Sequence, residues 1–112
     1  MYNYDKNQIT INNFNFKFEF EIRNVIQYKE NYIVLLSIPF KENYINNIFC
    51  LNNCAKIAWQ SEDLNSLYPD LKNLPYEQMG MKEDLLFASD FYGRNYEINT
   101  ENGKIIDCKI VR

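Results

Sequence analysis

The sequence contains no histidine. That removes the commonest general base and metal ligand, and every Ser–His or Cys–His nucleophile pair. Cysteine is scarce and odd in number: Cys50, Cys54 and Cys108. An odd count points to reduced, intracellular thiols rather than a disulfide framework. Cys50 and Cys54 are too few for a zinc site, which takes four ligands. Only three glycines and three prolines are present, so no long disordered linker is expected, and no glycine-rich loop could cradle a phosphate. No apolar run approaches a membrane span; Tyr32 to Phe40 is interrupted by Ser37 and Pro39. The N-terminal residues lack a basic segment followed by an apolar one. A cytoplasmic location, no membrane partner and no cofactor are the resulting expectations. A net charge of -3 and a pI near 4.9 leave no basic stripe for direct nucleic-acid binding.

Aromatics are abundant, with nine Tyr and eight Phe in 112 residues. Large flat side chains cover a pleated surface well, so this composition favours sheets. The length fits one domain, residues 1–112, with a core of its own. Phe14, Phe16, Phe18, Phe20 and Ile22 alternate with Asn15, Lys17, Glu19 and Glu21, a period-two pattern with one buried face. The run is expected to bend near Phe20, and apolar content continues through Val25, Ile26 and Tyr28. Before it, Met1 to Gln8 reads as polar and frayed, and Ile9–Ile11 as a short strand. Tyr32 to Ile38 is almost uninterruptedly apolar, the mark of a central strand covered on both faces. Pro39 ends it, and Tyr44 and Ile45 read as anchors in the connector that follows.

Ile48 to Gln60 reads as a hairpin turning at Asn52-Asn53-Cys54-Ala55 and carrying the only tryptophan, Trp59. A looser copy spans Tyr96 to Ile110, where Asn102-Gly103 marks the turn. Both turns run into Lys-Ile: Lys56-Ile57 and Lys104-Ile105. The final strand, Lys104 to Val111, would place Ile106, Cys108 and Ile110 on one face and Ile105, Asp107, Lys109 and Val111 on the other. Ser61 is expected to cap a short helix ending before Pro69 and turning Leu64, Leu67 and Tyr68 to the sheet. Tyr68 to Tyr76 reads as an irregular loop, followed by strands at Met79–Met81 and Leu85–Ser89. Cys50 and Cys108 read as core residues, and Cys54 at its turn as the one reactive thiol. The expected fold is all-β with one short helical turn: an antiparallel meander of about eight strands in two blade-like units.

Charge is uneven. Residues 61–90 hold seven acids against two bases, a net of -5. Tyr68, Tyr76, Phe91 and Tyr92 are interleaved with those acids or flank them. Read functionally, Glu62, Asp63, Tyr68, Asp70, Tyr76, Glu77, Glu83, Asp90 and Tyr92 would form an acidic, aromatic surface for a basic partner. The plainer reading is a solvated loop. Adjacent carboxylates such as Glu62/Asp63 and Glu83/Asp84 point different ways and make no catalytic dyad, so no enzyme is expected.

The strand–turn–Lys-Ile–apolar–Trp-Gln pattern resembles the blade hairpins of quinoprotein-type β-propeller repeats. Two such units cannot close a ring. From Phe14 onward the chain is similar to small bacterial proteins built of two blade-like units. The similarity rests on Phe14–Ile22, Tyr32–Ile38, Asn47–Leu51, Lys56–Gln60, Tyr68-Pro69, Pro75-Tyr76, Asn95–Asn99 and Asn102–Ile105. Two departures stand out: Ala55 occupies the place of the usual Gly before Lys56, and Asp90-Phe91-Tyr92-Gly93 replaces a Trp-containing turn. Such proteins resemble immunity proteins of polymorphic or contact-dependent toxin systems. The resemblance implies a partner, the C-terminal domain of a toxin, of which a basic nuclease is one kind, and a mode of action, occlusion. A small-ligand-binding β-domain with an aromatic cleft is the alternative expectation.

Overall fold

The structure, a computed structural model, describes residues 1–110. Eleven strands form three antiparallel sheets. The first sheet holds β1 (Tyr2–Asp5), β2 (Gln8–Ile11) and β3 (Phe14–Lys17). The second holds β4 (Glu21–Tyr28), β5 (Asn31–Ser37), β6 (Ile48–Leu51) and β7 (Ile57–Gln60), in that order. After one helical turn, α1 (Leu64–Leu67), the third holds β8 (Tyr76–Lys82), β9 (Leu85–Asp90), β10 (Arg94–Ile98) and β11 (Ile105–Ile110). The last eight strands are thus two four-stranded meanders, as expected. The strand count exceeds eight because Tyr2–Asp5 forms β1 and the expected Phe14–Ile22 strand is divided between β3 and β4.

β5 explains the layering. Tyr32, Val34 and Leu36 face the first sheet, where Ile9, Ile11 and Phe18 meet them. Ile33 and Leu35 face the third sheet, against Leu86, Ala88, Tyr96 and Ile98. β6 divides the same way: Phe49 and Leu51 to one side, Ile48 and Cys50 to the other. Both faces of these two central strands are therefore dry, which is why neither strand alternates in polarity. Each fully buried Ile, Leu or Val contributes about 1.5–3 kcal/mol of transfer free energy.

The N-terminal residues are ordered rather than frayed. Tyr2 packs on Tyr32 with ring centroids 5.1 Å apart, and Ile9 and Ile11 are fully buried. The Phe14–Ile22 alternation is split. β3 ends at Lys17 and β4 begins at Glu21. At Phe18 the chain turns, its N–H donating to Asn7 O (2.7 Å) and its carbonyl accepting from Asn7 Nδ2 (2.8 Å). The bend near Phe20 is therefore the passage from one sheet to the next, and Phe14, at the far end of an edge strand, is 50% exposed.

Four further expectations need correction. The helix cap is Asp63, whose carboxylate accepts from Asn65 N; Ser61 is buried instead. Leu64 is buried and Tyr68 half-buried, whereas Leu67 faces solvent. Tyr76 opens β8 and lies in the core, not in a loop. In β11 a bulge pairs Glu97 with Asp107 but Ile98 with Ile105, so Ile106 has no partner. The phase shifts by one residue: Ile105 joins Cys108 against the core, while Ile106 is exposed. Val111, expected in this strand, lies outside the described residues.

Side chains close the seams between the second and third sheets. Asn47, fully buried, donates to Leu36 O (2.7 Å) and Tyr76 O (2.9 Å) and accepts from Tyr76 N (2.8 Å). It stands in for a strand between β5 and β8. At another seam Trp59 Nε1 donates to Thr100 O (2.9 Å), and Glu62 accepts from Ile105 N (2.8 Å) while its own N–H donates to Gly103 O. The two hairpins therefore belong to different sheets and clasp one another.

Candidate functional site

A groove of about 530 Å³ opens where three connections meet. They are the β5–β6 connector, the stretch from α1 to β8, and the β9–β10 turn. Its apolar lining includes Ile38, Pro39, Leu74 and Pro75. Phe40 and Tyr92 line it as well, and Phe91 completes an aromatic rim. Phe40 is 100% exposed, Phe91 76% and Tyr92 58%.

Local chemistry holds those rings outward. Pro39 cannot donate to a ladder, so the chain leaves the sheet there. A turn follows, closed by Glu42 N donating to Pro39 O (2.9 Å), and Phe40 stands on its corner. At the other wall Asp90 organises the β9–β10 turn. Its Oδ1 accepts from Tyr92 N (2.9 Å) and Arg94 N (3.0 Å), and Gly93 takes the left-handed conformation at φ 83°. Asp90 Oδ2 accepts from Arg94 Nε (2.8 Å), and Arg94 Nη2 donates to Lys72 O (2.7 Å). The pair is buried, and the guanidinium lies 5.6 Å from the Tyr92 ring centroid. One ion pair thus shapes the turn, backs Tyr92 and ties down the third wall. Asn73 pins that wall from the other side, its Nδ2 donating to Leu64 O, Asn65 Oδ1 and Tyr68 O.

The nine residues expected to form one acidic surface are distributed. Tyr92 and Glu77 line the groove, Glu77 paired to Arg23 at 2.8 Å. Tyr76 and Asp90 are interior and present nothing to a partner, because one is 1% exposed and the other is consumed by Arg94. Glu62 holds β11, and Asp63 caps α1. Hydrogen bonds from Asn46, Ser66 and the Asn65 N–H keep the Asp63 carboxyl below the usual range. Tyr68 is half-buried against Tyr96, and burial raises its hydroxyl's pKa. Asp70 is exposed on the connector. Glu83 sits in the β8–β9 turn, at the opposite end of β9 from Tyr92. At about 3.4 Å per residue, six residues separate those turns by roughly 20 Å.

Phe40, Pro39 and Leu74 were not among the expected site residues. The available signal was an aromatic directly after a strand-ending proline, in an otherwise polar connector. The expected anchors hold: Tyr44 packs on Phe20 at 5.1 Å, and Ile45 is half-buried. Cys50 is buried, Cys108 half-buried and Cys54 exposed. Among the described residues no group of three or more Cys, Asp or Glu is placed to hold a metal ion. No helix among them is long and apolar enough to cross a membrane.

Residues 1–110 match a family described as a domain of unknown function, DUF7957, and the chain belongs to that family. No curated protein matches it.

Proposed function

We propose that this member of a family without an assigned role is a binding protein that acts by occluding a protein partner through the aromatic-rimmed groove. The observation that carries the reading is Phe40, Phe91 and Tyr92 held outward around an apolar groove. Aromatic side chains on a rigid backing are what interface hot spots are made of, because they bury much area and lose little entropy. Free in water they would cost solubility with no return. The resemblance to immunity proteins supplies the finer proposal: a cytoplasmic protein whose partner is the C-terminal domain of a bacterial toxin, for instance a basic nuclease. It has no catalytic role in this reading.

The geometry moves the emphasis from charge to aromatic area. Of the acids once grouped together, Asp90, Glu77, Glu62 and Asp63 each already serve the fold. Asp70 and Glu83 remain to steer a basic partner, and they lie outside the groove lining.

The test is a pull-down of tagged protein from host lysate, comparing wild type with the triple variant F40A/F91A/Y92A. A stoichiometric toxin domain captured by wild type and lost by the variant, at unchanged melting temperature, supports the proposal. Retention by the variant refutes the surface, and absence of any toxin partner refutes the role. The groove's volume also falls within the roughly 300–1,000 Å³ of small-molecule sites, which favours a small ligand as the second reading. A thermal-shift screen distinguishes the two.

A further inference from the structure

Of the three glycines, two are required by the backbone. Gly93 and Gly103 are left-handed, at φ 83° and 78°. Gly80, in the interior of β8, is not. A Cβ added there would meet no atom within 4 Å. Glycine weakens a strand interior, since it loses the most entropy on folding and offers nothing to pack. The fold therefore bears a cost at Gly80 with no structural return, and a bare strand position of this kind marks a place where something else comes close.

What surrounds Gly80 indicates what that is. A shallow cavity of about 250 Å³ lies over it on the outer face of the third sheet. Across the ladder Gly80 pairs with Phe87, and in the next row Gln78 pairs with Ser89, which pairs with Asn95. Phe87 points away from the core that its neighbours Leu86 and Ala88 enter. Its ring therefore lies beside the notch, flanked by two amides and a hydroxyl, all lining the cavity. None of these three polar side chains hydrogen-bonds another described residue. Among the described residues no charged side chain lines the cavity, and the charges flanking it are of both signs, Glu97 beside Phe87 and Lys109 beside Asn95.

We infer that this notch is a binding site for a neutral sugar ring. A pyranose has an apolar C–H face, which suits an aromatic ring, and a rim of hydroxyls, which suits groups that both donate and accept, as Asn, Gln and Ser do. The cavity is smaller than the roughly 300 Å³ at which drug-sized sites begin, so it takes a single ring. The lining offers no charged partner to a phosphorylated or other anionic ligand. The site lies on a different face from the groove and does not depend on its role.

The experiment is a two-dimensional amide NMR titration of the full chain with glucose, galactose and N-acetylglucosamine. At least one should give saturable shifts at Gly80, Phe87, Ser89 and Asn95, with a Kd on the order of 1 mM. Gly80→Val fills the notch and Phe87→Ala removes the platform; each should weaken binding at least tenfold. Gly80→Val should melt no lower than wild type, which separates lost binding from lost fold. No saturable shift with any of the three sugars overturns the inference, as do shifts centred elsewhere or wild-type affinity in Gly80→Val. A lowered melting temperature for Gly80→Val overturns its premise, that the fold has no need of glycine there.

Discussion

Replacing Gly103 by alanine probes the contact on which the two hairpins meet. The residue is left-handed, at φ 78°, and a Cβ there would lie 2.5 Å from Trp59 Cε3 and 2.9 Å from Gln60 O. The conformation alone costs a non-glycine residue about 1–2 kcal/mol. The overlap adds about 1–3 kcal/mol, since one neighbour is backbone and the other is an indole only 7% exposed and tethered to Thr100 O. The sum is about 2–5 kcal/mol, a large share of the roughly 5–15 kcal/mol of a domain this size. At about 4 °C per kcal/mol, Gly103→Ala should melt about 8–20 °C lower.

Urea unfolding followed by circular dichroism measures the loss, and a double-mutant cycle divides it. In a Trp59→Leu background the overlap with the indole disappears while the contact with Gln60 O stays, so the cost of Gly103→Ala should fall but keep the conformational share of about 1–2 kcal/mol and the backbone clash. A cost below about 0.5 kcal/mol in the native background, or an equal cost in both, refutes the clasp.

Three further outcomes are expected. Asn47→Ala leaves Leu36 O and both backbone groups of Tyr76 without their partner, and at about 1–3 kcal/mol per stranded group it should cost about 3–9 kcal/mol; a loss under 1 kcal/mol in urea unfolding would mean the two sheets hold together without it. Tyr76 is 1% exposed and its hydroxyl has no hydrogen-bond partner among the described residues, so Tyr76→Phe should be neutral or stabilise by up to about 1 kcal/mol, and a clear loss would reveal a bound water. Burial pushes the Cys50 thiol from its ordinary 9.0 up to about 11. Unfolded chains then shed this proton while folded ones keep it, so its contribution is intact below about pH 9 and lost as pH rises towards 11. Cys50→Ala should remove about 2–3 kcal/mol of that alkaline decline, against a remainder from the buried Tyr76 and Tyr96, and identical pH profiles for the two proteins would contradict it.

Burial was legible in the sequence where it acts locally. Tyr32 to Leu36 reads as a strand dry on both faces because every position there must be apolar for that to hold, and the structure alternates those residues between two cores. The break at Phe18 was less visible, because the alternation of Phe14, Phe16 and Phe18 continues up to the point where Asn7, eleven residues away, turns the chain. The candidate site was legible only in part. Residues 61–90 are acidic in sequence, but the chain runs up β8 and down β9, so neighbours along it end on opposite ends of a sheet. Asp90 looks like a surface acid until its partner Arg94 is seen beneath the Tyr92 ring. No one-dimensional pattern distinguishes a carboxylate that builds a turn from one that meets a partner.

The two turns that open Lys-Ile strands show how context decides a residue. In each, an asparagine opens the turn and its N–H donates to the lysine carbonyl: Asn52 to Lys56 O and Asn99 to Lys104 O, both at 2.8 Å. In each, the residue before the lysine is left-handed, Ala55 at φ 58° and Gly103 at φ 78°. Glycine would relieve strain at both places. At residue 55 it would also remove a methyl group buried in the first core, worth about 0.8 kcal/mol, so alanine is tolerated there. At residue 103 the space a methyl would fill is taken by Trp59, which comes from the other hairpin. The two hairpins therefore cannot exchange places. The first supplies the indole and the second supplies the gap, and the missing glycine before Lys56 is the mark of which one does the covering.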